Sequence, residues 1–387
     1  MSGRLTAASH SSPTSPATAS RRAYLDWLRG VGVLIMIASH SLDSWTRLDE
    51  RSHPGYVWSN IIGGYGAPIF LFLAGLAVAL AVSSRMRKGA TEAEAVAAAR
   101  RRGWQIFGLA FLFRLQSWLI SGGGFPGALL KVDILNIMGL SLVACAALWG
   151  VARGRGQRVV LLAAGAVAVA MLTPLVRATP LLAPLPDPLE RYLRPAAGRT
   201  TFTLFPWAAF LFAGAALGVL LDAARGAAQE RRLNVILACA GPAIALAGYA
   251  ASFLPPIYPV TSFWTTSPTF FFLRLGVLLT ALPIAYAWTS FWRGRSPLQE
   301  FGVASLFVYW IHVELAYGVV SLPLHKRLPF EAAVAGFVLF TVMLFGLVKL
   351  RDHIVANRPN GGLLGGLWPG TRTQPGGGSA TGSAVSG

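Results

Sequence analysis

Residues 29–43, RGVGVLIMIASHSLD, form an apolar run that begins on an arginine and ends on a histidine and an aspartate. The middle of the run is hydrophobic all round, which is typical of a helix that lies in lipid or in a large protein core. Ionisable side chains are costly in either place, and those within membrane helices usually face a cavity or a pathway. The arrangement of these three groups on the helix therefore bears directly on function.

Similar apolar segments recur along nearly the whole chain. Of the 387 residues, 54% are hydrophobic and 12% are charged, and a soluble domain has about twice that charged fraction. Segments of this length cross a bilayer as helices. The sequence thus predicts an all-α polytopic membrane protein with about ten spans. The spans are predicted at residues 26–42, 60–83, 104–121, 132–150, 158–176, 201–222, 233–253, 268–290, 301–322 and 331–349.

The net charge of +18 comes largely from basic residues in the connections between apolar segments. If the N-terminus is cytoplasmic, most of the 33 Lys and Arg residues fall on the cytoplasmic side, as the positive-inside rule requires. We therefore expect both termini in the cytoplasm, a multi-pass protein of the inner (plasma) membrane, lipid as a partner and no nucleic acid. Three parts are predicted: a disordered tail at residues 1–21, a transmembrane domain at 22–352 and a flexible tail at 353–387.

Four ionisable side chains form one line along the first predicted helix. A helix turns about 100° per residue, so Arg29 and His40 project within roughly 20° of each other, about 16 Å apart along the axis. Asp26 and Asp43 extend the line by one turn at its two ends. Asp26 marks the membrane interface, and Arg29 either marks it too or binds a ligand. His40 lies inside the apolar run with a carboxylate one turn away, an arrangement that suits a general base.

Several stretches together resemble a known family. YLDWLRGVGVLIMIASHSLDSW (24–45) is similar to the first helix of the bacterial DUF1624 proteins, relatives of the heparan-alpha-glucosaminide N-acetyltransferase catalytic domain. The spacing from Arg29 to His40 also resembles the signature of the acyltransferase-three family. Three further stretches resemble later helices of the DUF1624 proteins: YGAPIFLFLAGLAVALAVSSRMRKG (65–89), RRGWQIFGLAFLFR (101–114) and KVDILNIMGLSLV (131–143). Beyond residue 150 the resemblance rests on hydropathy and on YWIHVELAYG (309–318).

The resemblance implies a transmembrane acyltransferase. Such an enzyme moves an acyl group, in the simplest case acetyl, from cytoplasmic acyl-CoA to a hydroxyl or amine of an envelope or extracellular sugar. Acetyl-CoA is then the donor, no metal takes part, and a homodimer is compatible with the sequence. Arg29 and Arg114 would bind the donor, and His40 with Asp43 would deprotonate the acceptor. The alternatives are a secondary transporter that uses the His/Asp/Arg stripe as a proton or substrate relay, and a non-catalytic member of the fold.

Two related patterns select different histidines as the base. In the family of the heparan enzyme the catalytic histidine follows the first helix, and the residue that resembles it here is His53, in RSHPGYVW. A single loop histidine is more commonly an ordinary solvated residue. His40 is the first choice because of its depth in the helix, its neighbour Asp43 and its spacing from Arg29, and His53 is the second.

Later spans contribute further candidates. Arg114 either faces a cavity and binds donor or substrate, or it pairs with Asp133 or Glu314. Asp133 either caps the fourth span or, together with Asn136 on the same helix face, orients the acceptor. His312 and Glu314 lie roughly 200° apart around one helix, so only one of them can line a cavity. His312 is the preferred substrate-binding residue of the two.

Overall fold

The structure, a computed structural model, describes residues 22–120, 126–292, 294 and 296–357. These residues are mostly helical and contain no β-strand, although two isolated bridges join Thr46 to Leu328 and Val132 to Thr200. The all-α prediction is confirmed. The helices are α1 (Ala23–Trp45), α2 (Pro54–Gly63), α3 (Gly66–Arg87), α4 (Glu92–Ile120), α5 (Ile134–Val151), α6 (Arg155–Ala178), α7 (Asp187–Glu190), α8 (Leu204–Ala223), α9 (Ala227–Ala251), α10 (Pro268–Phe291), α11 (Pro297–Val303), α12 (Ser305–Tyr317) and α13 (Phe330–Ala356).

Eight helical segments of the described chain are long and apolar enough to cross a membrane: α1, the segment Pro54–Arg87 that contains α2 and α3, α5, α6, α8, α9, α10 and α13. They correspond to eight of the predicted spans, and a polytopic membrane protein is confirmed. Residues 104–120 of the predicted span 104–121 lie within α4, where Arg114 and Gln116 lower the hydropathy, and residue 121 lies outside the described residues. The predicted span 301–322 is divided at residue 304, and its second part, α12, has only 13 residues.

The predicted tails fall largely outside the described residues. Residues 1–21 lie outside them entirely. Of the predicted tail at 353–387, the first residues continue α13 to Ala356, and residues 358–387 lie outside the described part.

The chain divides into two compact units, and α1 contributes to both. Among the described residues, the first unit comprises 22–32, 65–115, 126–292, 294 and 296–303, and the second comprises 33–64, 116–120 and 304–357.

In the first unit, α3 packs along α8 and α9 packs along α10. The approach of α3 to α8 depends on glycine. A Cβ on Gly75 would lie 1.9 Å from the carbonyl oxygen of Leu211, and a Cβ on Gly214 would lie 1.9 Å from that of Phe72. Small residues of this kind let membrane helices pack with their backbones in contact.

In the second unit, the end of α1 is hydrogen-bonded to the end of α12. The Ser44 hydroxyl and the indole N–H of Trp45 both donate to the carbonyl oxygen of Ala316, at 2.6 and 3.2 Å. The backbone N–H of Leu328 donates to the Trp45 carbonyl at 2.9 Å, and the Trp45 ring packs edge-on against Phe340 of α13. These contacts position the polar end of α1 beside α12.

Candidate active site

The structure brings His40 of α1 and His312 of α12 into direct contact. His40 Nδ1 lies 2.9 Å from His312 Nε2, and the two imidazoles are nearly parallel, with ring centroids 5.0 Å apart. His312 is fully buried, whereas His40 is partly exposed. From the sequence, His40 was expected to be a base and His312 to be a substrate-binding residue. The structure joins them by a hydrogen bond.

The hydrogen bonds around this pair determine where the ring protons lie. His312 Nδ1 is 2.8 Å from the carbonyl oxygen of Val308, and because a carbonyl oxygen only accepts, this nitrogen carries a proton. Burial disfavours a charge on the His312 ring, so its Nε2 accepts the hydrogen bond from Nδ1–H of His40. Neutral His40 then has its lone pair on Nε2. Nε2 is therefore the nitrogen of His40 that can take up a proton.

Asp43, one turn beyond His40, accepts hydrogen bonds from three side chains. The Tyr317 hydroxyl donates to its Oδ2 at 3.0 Å, and Arg51 Nη2 donates to its Oδ1 at 3.1 Å. The Tyr56 hydroxyl donates to the same Oδ1 at 3.4 Å. The carboxylate therefore joins the end of α1 to α2 and to α12.

Nδ1 of His40 is hydrogen-bonded to His312. Asp43 accepts a hydrogen bond from Tyr317, whose ring packs edge-on against His40 with centroids 5.6 Å apart. Tyr317 was not among the site residues predicted from the sequence. It lies 274 residues from Asp43, so no spacing pattern connects the two, and its place in the stretch YWIHVELAYG was the only available signal.

His53, the second candidate base, lies at the N-terminus of α2 and has contacts of its own. Its Nδ1 accepts a hydrogen bond from the backbone N–H of Gly55 at 3.2 Å, so the side chain caps α2. Its ring stacks on Phe330 with centroids 4.7 Å apart, and its Nε2 lies 3.7 Å from a carboxylate oxygen of Glu331. The lone pair on Nδ1 of His53 is therefore engaged by the helix cap.

Arg29 forms an ion pair within α1. Its Nη1 donates to Oδ1 of Asp26 at 3.0 Å, and 25% of the arginine side chain is exposed. The backbone beside it is closely packed, since a Cβ on Gly30 would lie 1.8 Å from the carbonyl oxygen of Leu298. Asp26 and Arg29 of the predicted stripe thus form an intrahelical ion pair, and the arginine side chain stays partly exposed.

The start of α5 gathers three predicted site residues. The Asp133 side chain accepts hydrogen bonds from the backbone N–H groups of Ile134 and Asn136, and the Asn136 side chain accepts one from the backbone N–H of Asp133. The two reciprocal bonds between Asp133 and Asn136 form a capping box. Arg114 Nη2 lies 2.5 Å from Asp133 Oδ2. Burial raises the pKa of the nearby Tyr192 phenol, and a hydrogen bond with the Asn136 side chain offsets part of that rise. The structure thus shows the ion pair and the helix cap, two of the alternatives that the sequence left open.

A cavity of about 590 Å³ lies elsewhere in the first unit, between the end of α9 and the start of α10. Its lining is mainly apolar and includes Tyr258, Phe263 and Phe272, but none of the predicted site residues. Within the part of the chain that the structure describes, no three His, Cys, Asp or Glu side chains are grouped so that they could hold a metal ion.

The fold and the site define a polytopic helical membrane protein with a hydrogen-bonded histidine pair suited to moving a proton. The family model for Heparan-alpha-glucosaminide N-acetyltransferase, catalytic, matches residues 21–248, which is more than half of the chain. The chain belongs to this family, as its sequence resemblance predicted, and the family indicates a transmembrane acetyltransferase. No curated protein matches the chain. The matched region includes His40 and His53 but ends before His312.

Proposed function

We propose that the protein transfers an acetyl group from acetyl-CoA to a hydroxyl or amine of an envelope or extracellular sugar, with His40 as the general base. Family membership supports acyl transfer. The distribution of basic residues supports cytoplasmic termini in the inner (plasma) membrane, with the donor taken from the cytoplasm. The observation that carries the choice of base is the hydrogen bond between His40 Nδ1 and His312 Nε2.

The proposed reaction needs a base but no strong nucleophile on the protein, because the thioester of acetyl-CoA is already activated. His40 Nε2 accepts the proton of the acceptor as the acceptor oxygen or nitrogen bonds to the thioester carbonyl carbon. The tetrahedral intermediate then breaks its carbon–sulfur bond, and the departing CoA thiolate takes the proton from His40. The products are the acetylated acceptor and CoA, and His40 returns to its neutral form.

In this reaction His312 is a positioning residue. When His40 takes up a proton, its Nδ1–H still donates to Nε2 of His312, and a hydrogen bond from a charged donor is stronger than one from a neutral donor. The Val308 carbonyl holds the far side of the His312 ring, so Nε2 of His312 continues to accept. Asp43 supports the same arrangement through Tyr317, whose ring packs against His40.

The remaining predicted residues are proposed to bind the two substrates. Arg29, with a quarter of its side chain exposed, would bind the phosphates or amides of the donor, since a guanidinium suits such oxygens. Arg114 is the second proposed donor-binding residue. Asp133 and Asn136 are proposed to orient the acceptor, and the capping box and the ion pair with Arg114 would hold them rigid.

Three histidine variants of the full chain test the choice of base. Purified in detergent, each is assayed for transfer of labelled acetyl from acetyl-CoA to glucosamine or glucose. His40→Ala should abolish transfer, and His53→Ala should retain most of it while losing about 1 kcal/mol of stability with its helix cap. His353→Ala removes an exposed histidine of α13 and serves as the matched control.

Donor binding is measured separately, from the thermal stability of each variant with and without acetyl-CoA. A ligand at about 100 times its Kd stabilises the folded state by about 2.7 kcal/mol. His40→Ala should keep this shift, because the base does not hold the donor. Loss of transfer in His53→Ala together with full transfer in His40→Ala would place the base at the N-terminus of α2. The absence of any shift in the unsubstituted protein would count against the use of acetyl-CoA.

A further inference from the structure

Arg274 lies in α10, within a membrane-spanning segment, and is surrounded by aromatic rings. The sequence alone places it near the end of its span, where an arginine can reach the interface. Its guanidinium carbon lies 4.0 Å from the ring centroid of Phe270, and 5.9 Å from the centroids of both Tyr65 and Trp207. The side chain is half-buried, so a ligand of suitable chemistry can reach it. We call these four residues the Arg274 site.

No carboxylate neutralises this cation in the described part of the chain. All 15 Asp and Glu residues of the sequence are among the described residues, and no ion pair or hydrogen bond found there includes the Arg274 side chain. Its Nε is buried and has no acceptor in the described residues. Arg29 and Arg114, two other arginines within predicted spans, are both paired with an aspartate.

An arginine cannot escape this situation by losing its proton, because its charge persists at any ordinary pH. Aromatic faces attract the cation and offset part of the cost of removing it from water, but a ring provides no strong acceptor for the planar set of N–H groups. That planar set matches the paired oxygens of a phosphate or a carboxylate. An oxyanion from a ligand would therefore suit this guanidinium, because the described residues place no carboxylate against it.

We propose that the Arg274 site binds an oxyanion of the phosphate type. Arg274 is six residues from the start of α10, or about 9 Å along the axis. From that depth an extended arginine side chain can reach the headgroup region of a bilayer. The phosphate belongs either to a lipid headgroup or to a soluble phosphorylated ligand. The chemistry of recognition is the same in both cases.

The test uses full-length protein, stripped of lipid, in an uncharged detergent. Thermal unfolding is followed during titration with phosphatidylglycerol in mixed micelles and, separately, with inorganic phosphate. Diacylglycerol controls for the lipid tails, and sodium chloride at equal ionic strength controls for screening. Arg274→Met is compared with Arg225→Met, which removes the same charge from an exposed position between α8 and α9.

We expect the unfolding midpoint of the unsubstituted protein and of Arg225→Met to rise with one of the two phosphate probes. Arg274→Met should need about tenfold more of that probe, or should not respond at all, because charge-assisted hydrogen bonds are lost. A response to phosphatidylglycerol alone identifies a lipid headgroup, and a response to inorganic phosphate identifies a soluble ligand. No response in the unsubstituted protein, or an equal response in Arg274→Met, overturns the proposal.

If Arg274→Met does not fold, Arg274→Lys takes its place. Lysine keeps the charge but loses the planar pair of donors, so its response should be weaker than that of the unsubstituted protein and should still be present. A response of unchanged strength in Arg274→Lys, or none at all in either protein, rejects the guanidinium as the receptor.

Discussion

Replacing His312 by alanine should slow acetyl transfer while leaving acetyl-CoA binding intact. The substitution removes the acceptor that lies 2.9 Å from His40 Nδ1, and with it the contact that stabilises His40 when it carries the transferred proton. Hydrogen bonds to charged groups contribute about 1.5–3 kcal/mol. Since about 1.36 kcal/mol of transition-state stabilisation corresponds to a tenfold change in rate, the expected loss is roughly 10- to 150-fold in kcat.

His312→Gln is the matched variant. Its amide oxygen can accept from His40 Nδ1–H in place of Nε2, and the longer side chain fills more of the buried space than alanine does. We therefore expect less than about a tenfold loss of kcat, because the hydrogen bond to His40 is retained. The comparison separates the acceptor at position 312 from the volume of the side chain.

The assay is the initial rate of acetyl transfer at saturating and at limiting acetyl-CoA. A residue that acts mainly in the transition state changes kcat and leaves the KM for the donor nearly unchanged. His312 is fully buried, so alanine also leaves a cavity that costs about 2–5 kcal/mol of stability. Rates are therefore measured at a temperature where thermal unfolding and gel filtration show each variant to be folded.

Two results would refute this reasoning. The first is a folded His312→Ala variant whose kcat stays within about twofold of that of the unsubstituted protein. So small a loss is well below the rate effect expected from the hydrogen bond, and it would mean that the bond to His40 is not used in catalysis. Equal losses in His312→Ala and His312→Gln, both folded, would mean that the acceptor at this position is not the reason for the effect.

Two further predictions concern stability. Gly75→Ala should destabilise the protein by roughly 1–3 kcal/mol, because the added Cβ clashes with the Leu211 carbonyl. Gly108→Ala, whose Cβ would have nothing within 4 Å, should be neutral or stabilising by up to about 1 kcal/mol. Equal unfolding midpoints for the two variants would disprove the close contact. Arg114→Met should cost up to about 3 kcal/mol by removing the guanidinium that forms the ion pair with the Asp133 carboxylate. Adding Asp133→Asn should recover part of that loss, and a double variant no more stable than the single one would contradict the ion pair's role.

Hydropathy predicted most of the helices but not the division of the segment at 301–322. The first span was predicted at 26–42 and α1 is observed at Ala23–Trp45, because a long apolar run with polar flanks leaves little choice of structure. Around residue 304 both sides of the break are apolar, so hydropathy contains no signal for it. The break instead accompanies tight packing, since a Cβ on Gly302 would lie 1.8 Å from the carbonyl oxygen of Asp26. Contacts of this kind depend on the tertiary fold.

For the candidate site, helix geometry was informative only within single helices. The depth of His40 in its apolar run identified it as unusual, and the angle of roughly 200° between His312 and Glu314 required a choice between them. His312 is the one that contacts His40. The contact itself joins residues 272 positions apart, and no periodicity extends over that distance. The same holds for the bond between Asp43 and Tyr317.

The nitrogen that acts as the proposed base is therefore decided outside the helix that carries it. The Val308 carbonyl fixes the proton on His312 Nδ1, and His312 Nε2 in turn fixes the proton on His40 Nδ1. The proposed reactive nitrogen of His40 is therefore set by Val308, two hydrogen bonds away. A chain with the same first helix but with an apolar residue at position 312 would keep the spacing from Arg29 to His40 and lose this control. The family match ends at residue 248, before either Val308 or His312. The first-helix pattern thus locates the proposed base, and α12 supplies the hydrogen bond that sets its tautomer.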